Sequence, residues 1–218
     1  MKRQTVVLIS AAGLMLVFGL ATYLYTSEQA DRTEALAAAA DSPLERPHSR
    51  GRGPADARVV LVEFFDPACE TCRAFDPYVK ALLAEHRDRV RLVLRYAPFH
   101  EGSDTMVKIL EAAALQDHFW ETLQVMYDTQ PQWASHHNPR PERFWEFLPR
   151  AGVDVDRIRR DAQAPKFAAI IEQDLLDGRT LGVRKTPQFF VNGKPLLRFG
   201  YEQLKSMLDV EVAKQYPQ

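Results

Sequence analysis

Cysteine is almost missing from this chain: 218 residues carry only two, Cys69 and Cys72. A framework of several structural disulfides, the usual staple of small exported domains, is therefore excluded. A zinc site needs four ligands, and the pair supplies two. A disulfide closing so short a loop would remove little entropy from the unfolded chain, so stabilisation is a poor reason for the spacing. Charge of one sign is missing too. Lys and Arg number 28 against 29 Asp and Glu, a formal net charge of −1 with no long basic run, and nucleic acid is not an expected partner. Glycine is sparse, and "GRTLG" at 178–182 is too poor in it for a phosphate-cradling loop. No internal repeat is visible. His136 and His137 could complete a Cys2His2 set, but they sit in the polar stretch "SHHNPR" far along the chain, and no metal is expected.

One long apolar run is present, and it lies at the N-terminus. Residues 6–25 contain no charged side chain and follow Lys2 and Arg3. As a helix they span roughly 30 Å, the thickness of a hydrocarbon core. Residues 1–5 are then a cytoplasmic N-terminus, 6–25 a transmembrane anchor, and the rest lies on the extracytoplasmic side. The alternative is a cleaved signal peptide that leaves a soluble periplasmic protein. Against it, Tyr23, Leu24 and Tyr25 stand where a cleavage site wants small residues. Either way the remainder is exported. Residues 26–57 are rich in Ala and charge and are broken by Pro43, Pro47 and Pro54, which predicts a flexible linker ahead of a domain at 58–218.

That domain opens with "RVVLVEFF" at 58–65, a buried strand, then a helical pattern from about Cys69 to His86 that contains Pro77, then a second strand, "RVRLVLRY", at 89–96. Strand, helix and strand in so few residues make a βαβ unit with a parallel pair. Helical patterns occupy about 103–181. Their aromatics Phe119, Trp120, Trp133, Phe144, Trp145 and Phe147 are expected to form the core of this block, with one or two free to line a peptide groove. "PQFFVNGKPLLRF" then reads as a hairpin around Asn192-Gly193, and a last amphipathic helix follows. The fold class is α/β, with a thioredoxin-like layout and a helical insertion between the βαβ unit and the hairpin.

Cys69 falls at the strand-to-helix junction and Cys72 one turn further in, on the same helix face. Free N–H groups at a helix N-terminus favour a thiolate, so Cys69 is the expected nucleophile and Cys72 the resolving thiol. A CxxC at this place in a βαβ unit points to redox chemistry. Glu63 interrupts an apolar strand six residues earlier. A carboxyl buried there should have a raised pKa and a functional role.

"VEFFDPACETC" and "GVRKTPQFFVNG" together resemble the DsbA-like branch of the thioredoxin superfamily, thiol-disulfide oxidoreductases of the bacterial cell envelope, over roughly residues 58–216. The resemblance implies that Glu63 relays protons for the resolving cysteine. It also implies that Pro187 is a cis-proline facing the disulfide, with Thr186 before it binding an extended substrate segment through its backbone. Two departures are plain. Lys185 replaces the usual small residue before the Thr-Pro pair, and Glu70-Thr71 stands between the cysteines without the histidine of strongly oxidising members, so a weaker oxidant is expected. The expected activity is thiol-disulfide exchange on cysteine-containing exported proteins, at the periplasmic face of the inner membrane, with a membrane redox partner recycling the CxxC and no cofactor beyond it. A reductase or isomerase fed by a membrane electron donor and a non-catalytic thioredoxin-like chaperone are the alternatives.

Overall fold

A computed structural model describes residues 2–37, 42–135 and 138–217. His136 and His137 lie outside the described residues. The apolar run forms part of a continuous helix, α1 (Lys2–Ala37), whose stretch Val7–Thr33 is long and apolar enough to cross a membrane. Its side chains from Val7 to Tyr25 are exposed, whereas Thr33 is buried where α1 meets the hairpin edge of the domain.

The chain continues through β1 (Arg50–Arg52), β2 (Val59–Phe65), α2 (Glu70–Glu85) and β3 (Val90–Tyr96). The insertion is α3 (Ser103–Ala114), α4 (Phe119–Trp133), a two-residue pair β4 (Ala134–Ser135) and β5 (Asn138–Pro139), α5 (Pro141–Phe144), a 3-10 turn (Leu148–Ala151), α6 (Val155–Asp161) and α7 (Pro165–Thr180). β6 (Gln188–Val191), β7 (Lys194–Pro195) and α8 (Tyr201–Gln215) complete it. The main sheet has the order β1-β3-β2-β6-β7, with β2 and β3 parallel and the other neighbours antiparallel. Asn192 and Gly193 both have positive φ, as the tight turn between β6 and β7 requires.

β2 is apolar throughout because both of its faces are covered. Leu61 and Phe65 point into the main core with Val79 and Leu82 of α2, Leu204 and Leu208 of α8, and Met106, Leu110 and Leu123 of the insertion. Val62 and Phe64 point the other way, into a smaller core with Val93, Phe190, Leu181 and Leu44. By the period-2 alternation of a strand, Glu63 shares the face of Leu61 and Phe65 and lies under α2. Phe119, Trp133 and Phe144 are buried in the insertion as the pattern predicts, while Trp120, Trp145 and Phe147 pack at its margin.

The segment expected as a flexible linker differs from that expectation. Helix α1 runs on to Ala37, and residues 43–52 are strapped to the domain. β1 pairs with β3, Leu44 enters the smaller core, and charged groups do the rest. Arg46 holds Asp177 in a two-point contact at 2.8 and 2.7 Å, His48 meets Asp174 at 2.6 Å, and Arg50 pairs with Glu111. Arg95, fully buried on β3, bonds both Asp174 and Asp177 at 2.7 Å and reaches the Pro43 carbonyl. These partners lie far apart in sequence, so a Pro- and Arg-rich composition could not announce them. Asp174→Ala leaves the Arg95 guanidinium buried with half its partners, and we expect a loss of about 3–5 kcal/mol in urea unfolding. A loss under 1 kcal/mol would mean that the network contributes little.

Candidate active site

Why α2 begins where it does follows from its first residues. Cys69 has extended backbone (φ −73°, ψ 119°) and serves as N-cap, its Sγ accepting from the Cys72 backbone N–H at 3.4 Å. The sulfur thus takes the place that a Ser or Asp oxygen usually fills at a helix start. Opposite it lies the loop of Thr186 and Pro187, whose peptide bond is cis, and in the thiol form Cys69 Sγ donates to the Thr186 carbonyl at 3.3 Å. Residues separated by more than a hundred positions in sequence therefore meet around one sulfur.

No disulfide bond joins Cys69 to Cys72 in this structure, and their environments shift their pKa values in opposite directions. A hydrogen bond from the Cys72 thiol, opposed by partial burial and aided by Thr186 and by backbone N–H groups, lowers the Cys69 pKa to about 5. Cys72 is fully buried, and burial together with the neighbouring Cys69 and Glu63 pushes its pKa well up. Burial, then the charges of Asp76 and Cys69, raises Glu63 to about 8, so at neutral pH it is mostly a neutral acid. A cavity of about 400 Å³ reaches Glu63 between α2, β3 and α4, lined by apolar side chains of those elements and by charged ones that include Arg52, Asp76, Lys80, Glu121 and Arg150. Lys80 donates to Asp76 at 2.7 Å there. Cys69, Cys72, Glu63, Thr186 and Pro187 are all placed at one site.

Three further features carry no signal in a single sequence, or a faint one. Asp66, wholly buried and three residues before Cys69, accepts from the N–H groups of Ala68, Phe99 and His100 at 2.8–2.9 Å and from Ser103 Oγ. It also meets His100 Nδ1 at 2.7 Å. His100 lies in the loop after β3 and helps to hold Asp66. Gln130, buried on α4, donates from Nε2 to the carbonyls of Pro67 and Cys69. An aromatic cluster flanks the cis-proline loop: exposed Phe199 and Tyr78 stack on partly buried Phe75 and Tyr201 with 4.5 Å between centroids, and Lys185 Nζ lies over Phe199. These aromatics come from α2, from the β7–α8 connection and from the first residue of α8.

The raised Glu63 pKa has a definite sign in stability. A carboxyl with folded pKa about 8 and an ordinary unfolded value contributes fully below about pH 4.5, and its contribution falls as pH rises to about 8. Glu63→Gln removes this dependence. It should be more stable than the parent by about 3 kcal/mol at pH 7, with the difference shrinking to near zero at pH 4. Urea unfolding of the reduced proteins across that range checks it, and a flat difference would contradict the buried neutral acid.

With this geometry in hand, the similarities to known proteins are specific. The family model described as "Thioredoxin" matches residues 44–210. The chain is 30% identical over 181 residues to the Na(+)/H(+) antiporter NhaA of Herminiimonas arsenicoxydans, an alignment covering 83% of this chain and 28% of that protein. It therefore spans under a third of that curated relative's length. A thioredoxin-like oxidoreductase from Silicibacter pomeroyi DSS-3 superposes with a TM-score of 0.67 at 27% identity, covering 83% of this chain and 99% of that one. The thiol-disulfide exchange protein alpha-DsbA2 from Wolbachia pipientis gives 0.68 at 20% identity, over 84% and 97%. The chain belongs to the thioredoxin family, and its domain has the fold of the DsbA-like thiol-disulfide oxidoreductases within it.

Proposed function

We propose that this chain is a protein thiol-disulfide oxidoreductase that exchanges disulfides with cysteines of exported proteins. The observation that carries the reading is the divergence of the two thiols: Cys69 is lowered to about 5 at a helix N-cap, and Cys72, one turn inside, is raised. In the oxidising direction a substrate thiolate attacks Cys69 Sγ of the enzyme disulfide, forming a mixed disulfide, and Cys72 leaves as a thiolate that takes its proton from neutral Glu63. A second substrate thiolate attacks the substrate sulfur of the mixed disulfide and expels Cys69 as a thiolate. The substrate loses two electrons and the CxxC gains them. Cys69 is a good leaving group because its thiolate is stable at neutral pH, which favours this direction over a reductase even with Glu70 in place of a histidine. Thr186 and Pro187 supply the backbone edge on which an extended substrate segment lies.

The charge-free run of α1 supports an uncleaved anchor that holds the domain at the periplasmic face of the inner membrane, where a membrane redox partner would reoxidise the cysteine pair. Mature protein should keep an N-terminus at or near Met1 and stay with membranes in high salt. A mature chain starting after residue 25 would refute the anchor. For the chemistry, Cys72→Ala should accumulate reductant-sensitive adducts with other proteins on non-reducing gels, at least tenfold more than Cys69→Ala. Equal trapping by the two variants would overturn the assignment of the nucleophile.

A further inference from the structure

Gln130 belongs to α4 of the helical insertion, yet its side chain ends in the active-site turn. Its Nε2 donates to the Pro67 carbonyl at 2.9 Å and to the Cys69 carbonyl at 3.1 Å, while its Oε1 accepts from Arg73 Nε at 2.9 Å. The side chain has no exposed surface. We infer that Gln130 is a positioning residue through which the insertion holds the Cys69 turn in the shape that makes its sulfur the nucleophile.

The chemistry of the three partners selects this residue type. Two main-chain carbonyls can only accept, and a guanidinium can only donate. The group between them must offer donors at one end and an acceptor at the other. A carboxamide does so, a carboxylate lacks the donors, and an aliphatic chain lacks both. The same partners assign which end of the amide is oxygen.

The consequence for Cys69 follows from the backbone. Its carbonyl also accepts the first helical bond of α2, from Arg73 N at 3.2 Å, so one oxygen anchors both the helix and the clamp. The N–H of Cys69 is tied to the Asp66 carbonyl at 3.0 Å, and Asp66 is held by the loop around His100. The turn is therefore gripped from the β3–α3 loop on one side and from α4 on the other. Without Gln130 the Pro67 carbonyl loses its amide donor and the Cys69 carbonyl is left with the Arg73 N–H alone, and the loss of buried hydrogen bonds of this kind drives local rearrangement. Rotation of the Cys69 backbone would take Sγ away from the Cys72 N–H that it accepts from. The nucleophile is thus tuned from outside the βαβ unit that bears it.

This inference builds on Cys69 being the nucleophile of the proposed exchange reaction, but its test needs no substrate. Gln130→Met keeps size and burial while removing both donors and acceptor. In the reduced full-length protein, titration of the Cys69 thiolate by its ultraviolet absorbance should show the pKa rising by about one unit or more. In a glutathione redox buffer the ratio of disulfide to dithiol should increase about tenfold for each such unit. Arg73→Met is the second variant. It frees the amide oxygen and should shift Cys69 the same way, partly by the loss of a nearby positive charge. The double variant separates the causes: a charge effect adds to that of Gln130→Met, whereas loss of a shared clamp does not. An unchanged titration and redox ratio in Gln130→Met, whatever its melting temperature, would overturn the inference. If that variant does not fold, an unchanged titration in Arg73→Met, or strict additivity of Arg73→Met with Gln130→Asn, overturns it instead. A chain that shows these shifts but exchanges no disulfides would refute the proposed function and leave the positioning role standing.

Discussion

Cys69 Sγ at the N-cap of α2, accepting from the Cys72 N–H, is the interaction around which the site is built. A helix start has backbone donors with no partner inside the helix, and whatever caps them is favoured as an anion. Filling that place with sulfur turns a routine need of the fold into a stabilised thiolate. The same turn fixes Cys72 three residues on, inside the core, where an anion is disfavoured. One short segment thus creates both the reactive thiol and its protonated partner.

Burial under α2 explains the third member of the site. Glu63 occupies a core position on β2 and is mostly neutral at neutral pH, close enough to Cys72 for its charge to help raise that thiol. The cavity that reaches it is lined by apolar and charged side chains alike, the Asp76–Lys80 pair among them, and neither cysteine lines it. The cost is stability: an acid held neutral above its ordinary pKa weakens the fold at neutral pH.

The rest of the domain holds this arrangement rigid. β2 carries Glu63 and leads into Asp66, whose carboxylate gathers the loop after β3, and Gln130 closes the opposite side from the insertion. Below, Arg95 of β3 ties Asp174 and Asp177 of α7 to the strap at 43–50, so the insertion, the sheet and the segment leading from α1 are fastened by one buried charge network. Such a network contributes little net stability, but breaking one member leaves a buried charge without its partner and is costly.

The amino-acid sequence by itself determined the apolar strands at β2 and β3, the helix between them, the CxxC at their junction, the Asn192-Gly193 turn and the apolar run of α1, because each is written in residues close together along the chain. The oddity of Glu63 was also legible, since a carboxylate stands out against apolar neighbours. The cis-proline of "KTPQFF" and its place facing the cysteines were legible only through a resemblance, whereas the contact of Cys69 Sγ with the Thr186 carbonyl is a fact of tertiary structure. The strap at 43–52 looked like a linker because Pro, Gly and Arg are the residues of linkers, and only the distant Asp174, Asp177 and Glu111 turn them into anchors. Gln130 had no local mark at all. A polar residue in a helix looks solvent-facing until folding brings to it two carbonyls and a guanidinium whose hydrogen bonds it completes, and that is a decision only three dimensions can make.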